Sequence, residues 1–362
     1  MTGEIRHLLV AGFATRHVAA SAARAGLMVY AVDHFCDQDL RDCTIECSRF
    51  DELAEIPGLI GTLCRKYPVD AIITTSGAED LSDLPVPVLG TDPAITSRFL
   101  DKSRTQEFFE EGGWPVPTLA APGSFPAMLK PCTGAGGWRN TIVSGEEEIR
   151  AWEAAFPGMP YLLQEVAPGI AASVCCVADG SRARALAANR QILRGTDEAA
   201  FGFCGSLTPL IHPMSRAMCR MAEDIAAASG CRGVIGIDFL LTSDRVFPIE
   251  VNPRFVATLD TVERAYGMNL VRIHLDACQG ILPGQIPAPE RVSIRKILFS
   301  EGERELRDDL SSLSPAVADI PVPPARFETG EAVISVFGEG KTEEEAREAL
   351  DKTIRAVSLY MR

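Results

Sequence analysis

The chain has 362 residues, 46% of them hydrophobic and 23% charged, a globular balance in a length that exceeds one ordinary hydrophobic core, so two or three α/β units are expected. Forty-nine acidic against 35 basic residues give a net charge of -14, which argues against nucleic acid as a partner and leaves small molecules. No run approaches the roughly eighteen apolar residues of a membrane span, and the opening MTGEIRHLLVAGF has no secretory cleavage pattern, so no membrane partner and a cytoplasmic location are expected.

In chain order, His7 to Ala11 reads as a strand, Thr15 to Ala25 as a helix and Leu27 to Val32 as a second strand ending at Asp33. Ile56 to Lys66 supports another helix and Asp70 to Thr75 another strand, an alternation that implies a mostly parallel sheet. This opening imitates a dinucleotide fold, because Gly12 follows the first strand and Asp33 ends the next. The turn Ala11-Gly12-Phe13-Ala14-Thr15 nevertheless lacks the three glycines of that fold, which favours a structural or substrate-facing unit. The expected units are a Rossmann-like domain over 1–92, a nucleotide- and metal-binding domain over 93–280 and a completing region over 281–362.

The eleven cysteines are diluted through a long chain without a CxxC, so they are expected to be structural thiols. Cys175 and Cys176 are adjacent in a strand and must face opposite sides of it.

Around Asp101-Lys102 the chain patterns as a helix, Ala127 to Lys130 as a strand, and the passage Lys130-Pro131-Cys132-Thr133-Gly134-Ala135-Gly136-Gly137-Trp138 breaks regular structure. Its glycines can turn tightly and aim backbone N–H groups at phosphate oxygens, with Lys130 adding a positive charge. The GKS or GKT ending of a P-loop is missing, so a structural turn remains the competing reading. Lys102 alone reads as a solvated surface lysine, and gains a role only beside that loop, since ATP needs more than one compensating charge.

Glu146 to Phe156 returns to helix, and Tyr161 to Glu165 forms a strand running into Gln164-Glu165-Val166-Ala167-Pro168-Gly169. That edge can pack against adenine or end a solvated strand. Arg190 and Arg194 fit either a triphosphate or an exposed strand end, and Ser173 has no visible His/Asp partners.

Val234 to Leu241 and Val246 to Val251 flank the turn-like Thr242 to Arg245. If they form a hairpin, Asp238 and Glu250 share a face, and Asn252 shares it with Glu250. Three oxygen-bearing side chains then suit hard Mg2+, with Arg254 two residues on for a phosphate or acyl-phosphate oxygen. The competing reading has all three facing water, but a carboxylate inside Val234–Leu241 is costly to bury alone. Leu270 to Cys278 reads as a helix, Val292 to Phe299 and Ala332 to Phe337 as strands, and Thr342-Glu343-Glu344-Glu345 as a helix-starting capping box.

The ordered set Lys102, MLKPCTGAGGWRN at 128–140, LLQEVAPG at 162–169, GIDFLL at 236–241 and PIEVNPRF at 248–255 resembles the ATP-grasp superfamily, over about Pro93 to Gly280. The segment 319–346 resembles the end of ligases related to the carbamoyl-phosphate synthase large subunit and biotin carboxylase, and tyramine–glutamate ligase is a further comparison. The resemblance implies an α/β ATP-grasp fold preceded by a small Rossmann-like domain. It also implies a carboxylate–amine ligase that forms an amide through an acyl phosphate with release of ADP and phosphate. Lys102 and Lys130 would hold ATP phosphates. Thr133, Gly134, Ala135, Gly136 and Gly137 would close over them, and Gln164, Glu165 and Val166 would face adenine. Asp238, Glu250 and Asn252 would bind Mg2+, with Mn2+ as a substitute, and Lys130, Glu250 and Arg254 would be catalytic. Partners would be a small carboxylate and an amine, in a monomer or homodimer. The family's acidic ribose-binding residue after the hinge is missing, since Gly169-Ile170-Ala171-Ala172-Ser173 stands there. A carboxylase, a carboxylate kinase and a non-catalytic nucleotide sensor remain alternatives.

Overall fold

The computed structural model describes residues 4–134, 136–195 and 200–361. In its first unit β1 (His7–Ala11), α1 (Arg16–Arg24), β2 (Met28–Asp33), α2 (Gln38–Asp42), β3 (Glu46–Arg49), α3 (Ile56–Lys66) and β4 (Ala71–Thr74) alternate. The strands pair in parallel in the order β3-β2-β1-β4. Leu8, Val10, Ala31 and Ile73 enter one core while Leu9, Tyr30, Val32 and Ile72 enter another, the two-residue period of a sheet buried on both faces.

The dinucleotide-like features of this unit are structural. One Asp33 oxygen accepts from the Thr15 amide and hydroxyl at 2.6 and 2.8 Å, and the other from the Phe35 and Cys36 amides at 2.8 Å each. Its hydrogen-bonding capacity is therefore spent on binding two loops together. Gly12, at φ +150°, is required because a Cβ there would stand 2.2 Å from Thr75 Oγ1. The expectation that all cysteines are thiols is corrected for two of them: Cys36 and Cys47 form a disulfide, their Cα atoms 6.2 Å apart. The parallel pairing of β2 with β3 sets the turn after β2 beside β3, so that two cysteines eleven residues apart meet, which spacing along the chain does not reveal.

Next come α4 (Pro93–Phe99) and α5 (Lys102–Glu111). A small antiparallel sheet follows, order β6-β5-β7, made of β5 (Ala127–Pro131), β6 (Thr141–Val143) and β7 (Tyr161–Glu165), with α6 (Glu146–Ala155) packed on it.

The remaining chain builds one eight-stranded antiparallel sheet with its helices. In sequence these are β8 (Ile170–Asp179), β9 (Ala183–Leu193), β10 (Phe203–Thr208), α7 (Ser215–Ser229), β11 (Arg232–Leu241), β12 (Val246–Asn252), α8 (Leu259–Tyr266), α9 (Leu270–Cys278) and β13 (Val292–Phe299). They continue through β14 (Arg304–Leu306), β15 (Val317–Ala318), β16 (Ala325–Phe327), β17 (Ala332–Gly340) and α10 (Glu343–Ser358), where β14 and β16 form a separate pair. The sheet order is β12-β11-β8-β9-β10-β13-β17-β15, so it runs without interruption across residue 280. Cys175 packs with α8 and α9 on one face and Cys176 with α7 on the other, as strand alternation requires.

The first unit is bolted to this sheet by buried charge. The Arg16 guanidinium donates to Asp260 of α8 at 2.8 and 2.6 Å and to Asp319 at 2.8 Å, while Arg295 of β13 donates to Asp319 at 2.8 Å. Among the described residues no helix is long and apolar enough to cross a membrane.

Candidate functional site

Thr242 closes the turn between β11 and β12, its amide donating to the Arg245 carbonyl at 3.0 Å. The resulting register sets Asp238 opposite Glu250 and Gly236 opposite Asn252, with a bulge after Asp238. The two carboxylates and the amide thus share one face. Gln191 Nε2 donates to one Asp238 oxygen at 2.8 Å and Asn252 Nδ2 to the other at 3.3 Å. Gln191 lies on β9, two strands from β11, with β8 between them, whose small Ser173 is the register partner of Asp238. Burial pushes the Asp238 pKa up to about 7, and the negative charge of Glu250 adds to the shift against the opposing pull of Arg254. Among the described residues no third His, Cys, Asp or Glu joins the pair, so the oxygen set is two carboxylates and one carboxamide.

Arg254 donates to Asn252 Oδ1 at 3.3 Å and pairs with Glu79 of the first unit at 2.5 Å. The guanidinium is thereby held at the junction of two units.

Two lysines face the carboxylates from the small-sheet side. Lys130, on β5, is lowered to a pKa of about 8, first by burial; the nearby Glu250 opposes this and Lys102 adds to it. Lys102 begins α5, where the Asp101 carboxylate caps the Ser103 amide at 2.8 Å. Its ammonium donates to the Gly134 carbonyl at 2.7 Å and lies 3.9 Å from Glu250.

The glycine loop after Lys130 docks on the large sheet. The Phe203 amide donates to the Gly136 carbonyl at 3.0 Å, and a Cβ on Gly137, at φ +74°, would stand 2.1 Å from the Phe201 carbonyl oxygen. Only glycine permits that approach. Trp138 at the loop's end is half exposed over the Arg194 guanidinium, which also lies 4.0 Å from the centre of the Phe299 ring.

One cavity of about 810 Å³ unites Lys130, Gly136, Gly137, Gln164, Glu165, Val166, Asp238, Glu250, Asn252 and Arg254. Lys102, Thr133 and Gly134 stand outside its lining, Lys102 reaching the site through Gly134 and Glu250, and Ala135 lies outside the described residues. Arg190 is exposed and away from the lining, and His212 lines a second cavity on the far side of the Glu165–Ile170 hinge. Ser173 does line the main cavity, but among the described residues its hydroxyl meets Asn189, which donates to it at 3.4 Å, and no base.

Residues that sequence reasoning missed line the cavity or hold its lining in place. Gln191 and Glu79 fix Asp238 and Arg254, and Gln106 fixes the buried Gln164 by accepting from its Nε2 at 2.8 Å. Gln164 Oε1, His17 Nε2 and Thr258 Oγ1 all belong to cavity-lining residues and are buried without a hydrogen-bond partner. Each costs about 1–3 kcal/mol in that condition. All of these contacts join distant elements, and no local motif signals them.

Residues 99–258 match the family described as ATP-grasp domain. The chain is 24% identical over 91% of its length to an uncharacterized protein of Methanocaldococcus jannaschii, of which it covers 87%. It is 26% identical over 62% of its length to the carbamoyl phosphate synthase large chain of Thermomicrobium roseum, of which it spans only 23%. Among solved structures it resembles the biotin carboxylase domain of Hydrogenobacter thermophilus 2-oxoglutarate carboxylase, in complex with MgADP, ADP and bicarbonate, with a TM-score of 0.79 at 14% identity over 98% of this chain and 90% of that one. It also resembles the L-amino acid ligase of Bacillus licheniformis, with a TM-score of 0.74 at 16% identity over 99% of this chain and 98% of that one. The facing lysines, the glycine loop, the hinge and the acidic hairpin thus lie in or beside a segment of recognised ancestry: this chain carries an ATP-grasp domain at residues 99–258.

Proposed function

We propose that the chain is an ATP-dependent carboxylate–amine ligase that activates the acid as an acyl phosphate and releases ADP and phosphate. The observation that carries this reading is the opposition, in one cavity, of the Asp238–Glu250–Asn252 oxygens to Lys130, with Lys102 reaching in from behind the glycine loop.

The side chains suit their parts. Gln164 Oε1 would accept from the adenine amino group beside the hinge. Gly136 and Gly137 let backbone approach phosphate, and Lys130 and Lys102 supply compensating charge. Asp238, Glu250 and Asn252 would hold Mg2+, whose positive charge neutralises phosphate oxygens, and the raised pKa of Asp238 beside Glu250 marks a carboxylate pair that favours a shared cation. Mn2+ accepts the same oxygen ligands. Arg254 adds a fixed positive charge where the substrate carboxylate becomes an acyl phosphate. The walls drawn from all three structural units would keep water from that intermediate.

The test is a matrix of small carboxylates and amines incubated with ATP and Mg2+, with ADP, phosphate and product masses measured together. We expect equal yields of ADP, phosphate and amide for one pair. Glu250→Gln should lower the rate by about 100-fold or more and raise the Mg2+ concentration for half-maximal activity. Wild-type rate and Mg2+ dependence in that variant would overturn the metal assignment. An acyl phosphate that accumulates without amide even when amines are present would redirect the reading to a carboxylate kinase, and a carboxylated acid formed when bicarbonate is added would redirect it to a carboxylase.

A further inference from the structure

On the side of the first unit the main cavity is lined by Phe13 and His17, and it is lined also by Thr258, three residues to which ATP and metal give no part. His17 is 8% exposed and Thr258 3%, and neither His17 Nε2 nor Thr258 Oγ1 has a partner. Thr258 occupies the N-cap position of α8 without using its side chain as a cap, while its carbonyl is pinned by the Val262 amide and the Thr261 hydroxyl at 3.0 Å each. The hydroxyl is thus unspent, on a backbone held at the start of α8. At the mouth Phe13 is 42% exposed and stacks on His34, ring centres 4.7 Å apart, presenting an aromatic surface beside the opening.

We propose that this part of the cavity is the subsite for the amine substrate, with His17 and Thr258 as its hydrogen-bonding groups and Phe13 against its apolar body. In its catalytic meaning the proposal rests on the ligase reading above. Charge decides for an amine over an acid. Behind His17 lie two guanidiniums, Arg16 and Arg295, against three carboxylates, Asp39, Asp260 and Asp319. A second carboxylate would find both guanidiniums already spent on Asp260 and Asp319, whereas an ammonium meets acceptors and an aromatic face. Burial lowers the His17 pKa to about 4, leaving a ring-nitrogen lone pair available at neutral pH.

Five histidines make the test direct. The full chain, labelled with 13C-histidine, is titrated in the presence of Mg2+ and a nonhydrolysable ATP analogue with methylamine, ethylamine and benzylamine, and with the matched acids acetate, propionate and benzoate; His17→Gln identifies the resonance. The amines should shift the His17 signal saturably, benzylamine at the lowest concentration, and the acids should not. Thr258→Val should weaken benzylamine by about fivefold or more with the His274 signal unmoved, and Thr258→Ser should restore it. An equal or stronger response to the acids, or no response to any of the three amines, overturns the amine subsite. Neither result bears on ADP formation in the substrate matrix, whose absence would instead sink the ligase reading.

Discussion

A carboxylate pair facing across a hairpin is unfavourable without a cation between its members, and Asp238 registers this as a pKa raised to about 7 by burial and by Glu250. His274 gives a case where burial acts on a purely structural group. Its Nδ1 accepts from the Val234 amide at 2.9 Å, which leaves Nε2 as the donor to the Leu89 carbonyl at 3.1 Å. The neutral ring is fully used, and burial lowers its pKa to about 4. NMR titration of labelled histidine should therefore find His274 half-protonated near pH 4, not near the value of about 6.5 for a free imidazole; a midpoint above about 6 would contradict the assigned tautomer and burial. At this scale Asp238, Glu250 and Asn252 were legible, because one turn and the two-residue period of a strand suffice to place them together. Gln191, Glu79, His17 and Thr258 were not, because their positions depend on sheet order and on how the units dock.

Among the elements, those governed by local rules matched their sequence reading closely. Val292–Phe299 forms β13 as read, and Thr342 caps α10 by accepting from the Glu345 amide at 3.2 Å. The Glu345 carboxylate turns back to accept from the Lys341 amide at 2.7 Å, one residue earlier than the simplest capping box would have it. By contrast β10, with sequence FCGSLT, carries glycine and serine in a nearly buried strand and shows no alternation to read. The glycine loop reads in the sequence as a candidate phosphate cradle, but its docking could not be read there, since the contact with Phe201 and Phe203 joins segments more than sixty residues apart. Gly137→Ala should break that contact. The left-handed backbone alone costs about 1–2 kcal/mol, so KM for ATP should rise about 5- to 30-fold while the melting temperature moves by only about a few degrees. An unchanged KM would mean that the docked loop is not the ATP-binding form.

For the whole molecule, the three units form one cavity only while the first unit stays seated on the large sheet. Arg16 is 6% exposed and its ion pairs with Asp260 and Asp319 carry that seat, alongside Arg295. Arg16→Met leaves Asp260 and Asp319 buried with one cation fewer, and urea denaturation should find a loss of about 3–5 kcal/mol, a large part of the roughly 5–15 kcal/mol that holds a domain folded. A loss below about 1 kcal/mol would show that apolar packing alone seats the unit. Phosphoryl transfer to a carboxylate leaves a trace in the oxygen atoms of the products. The acid identified in the substrate matrix is labelled with 18O in its carboxyl group and turned over with ATP, Mg2+ and amine, and the released phosphate is analysed by mass. Each released phosphate should carry one 18O from the acid, with ADP unlabelled. Label in AMP, released with pyrophosphate, would contradict phosphoryl transfer to the acid.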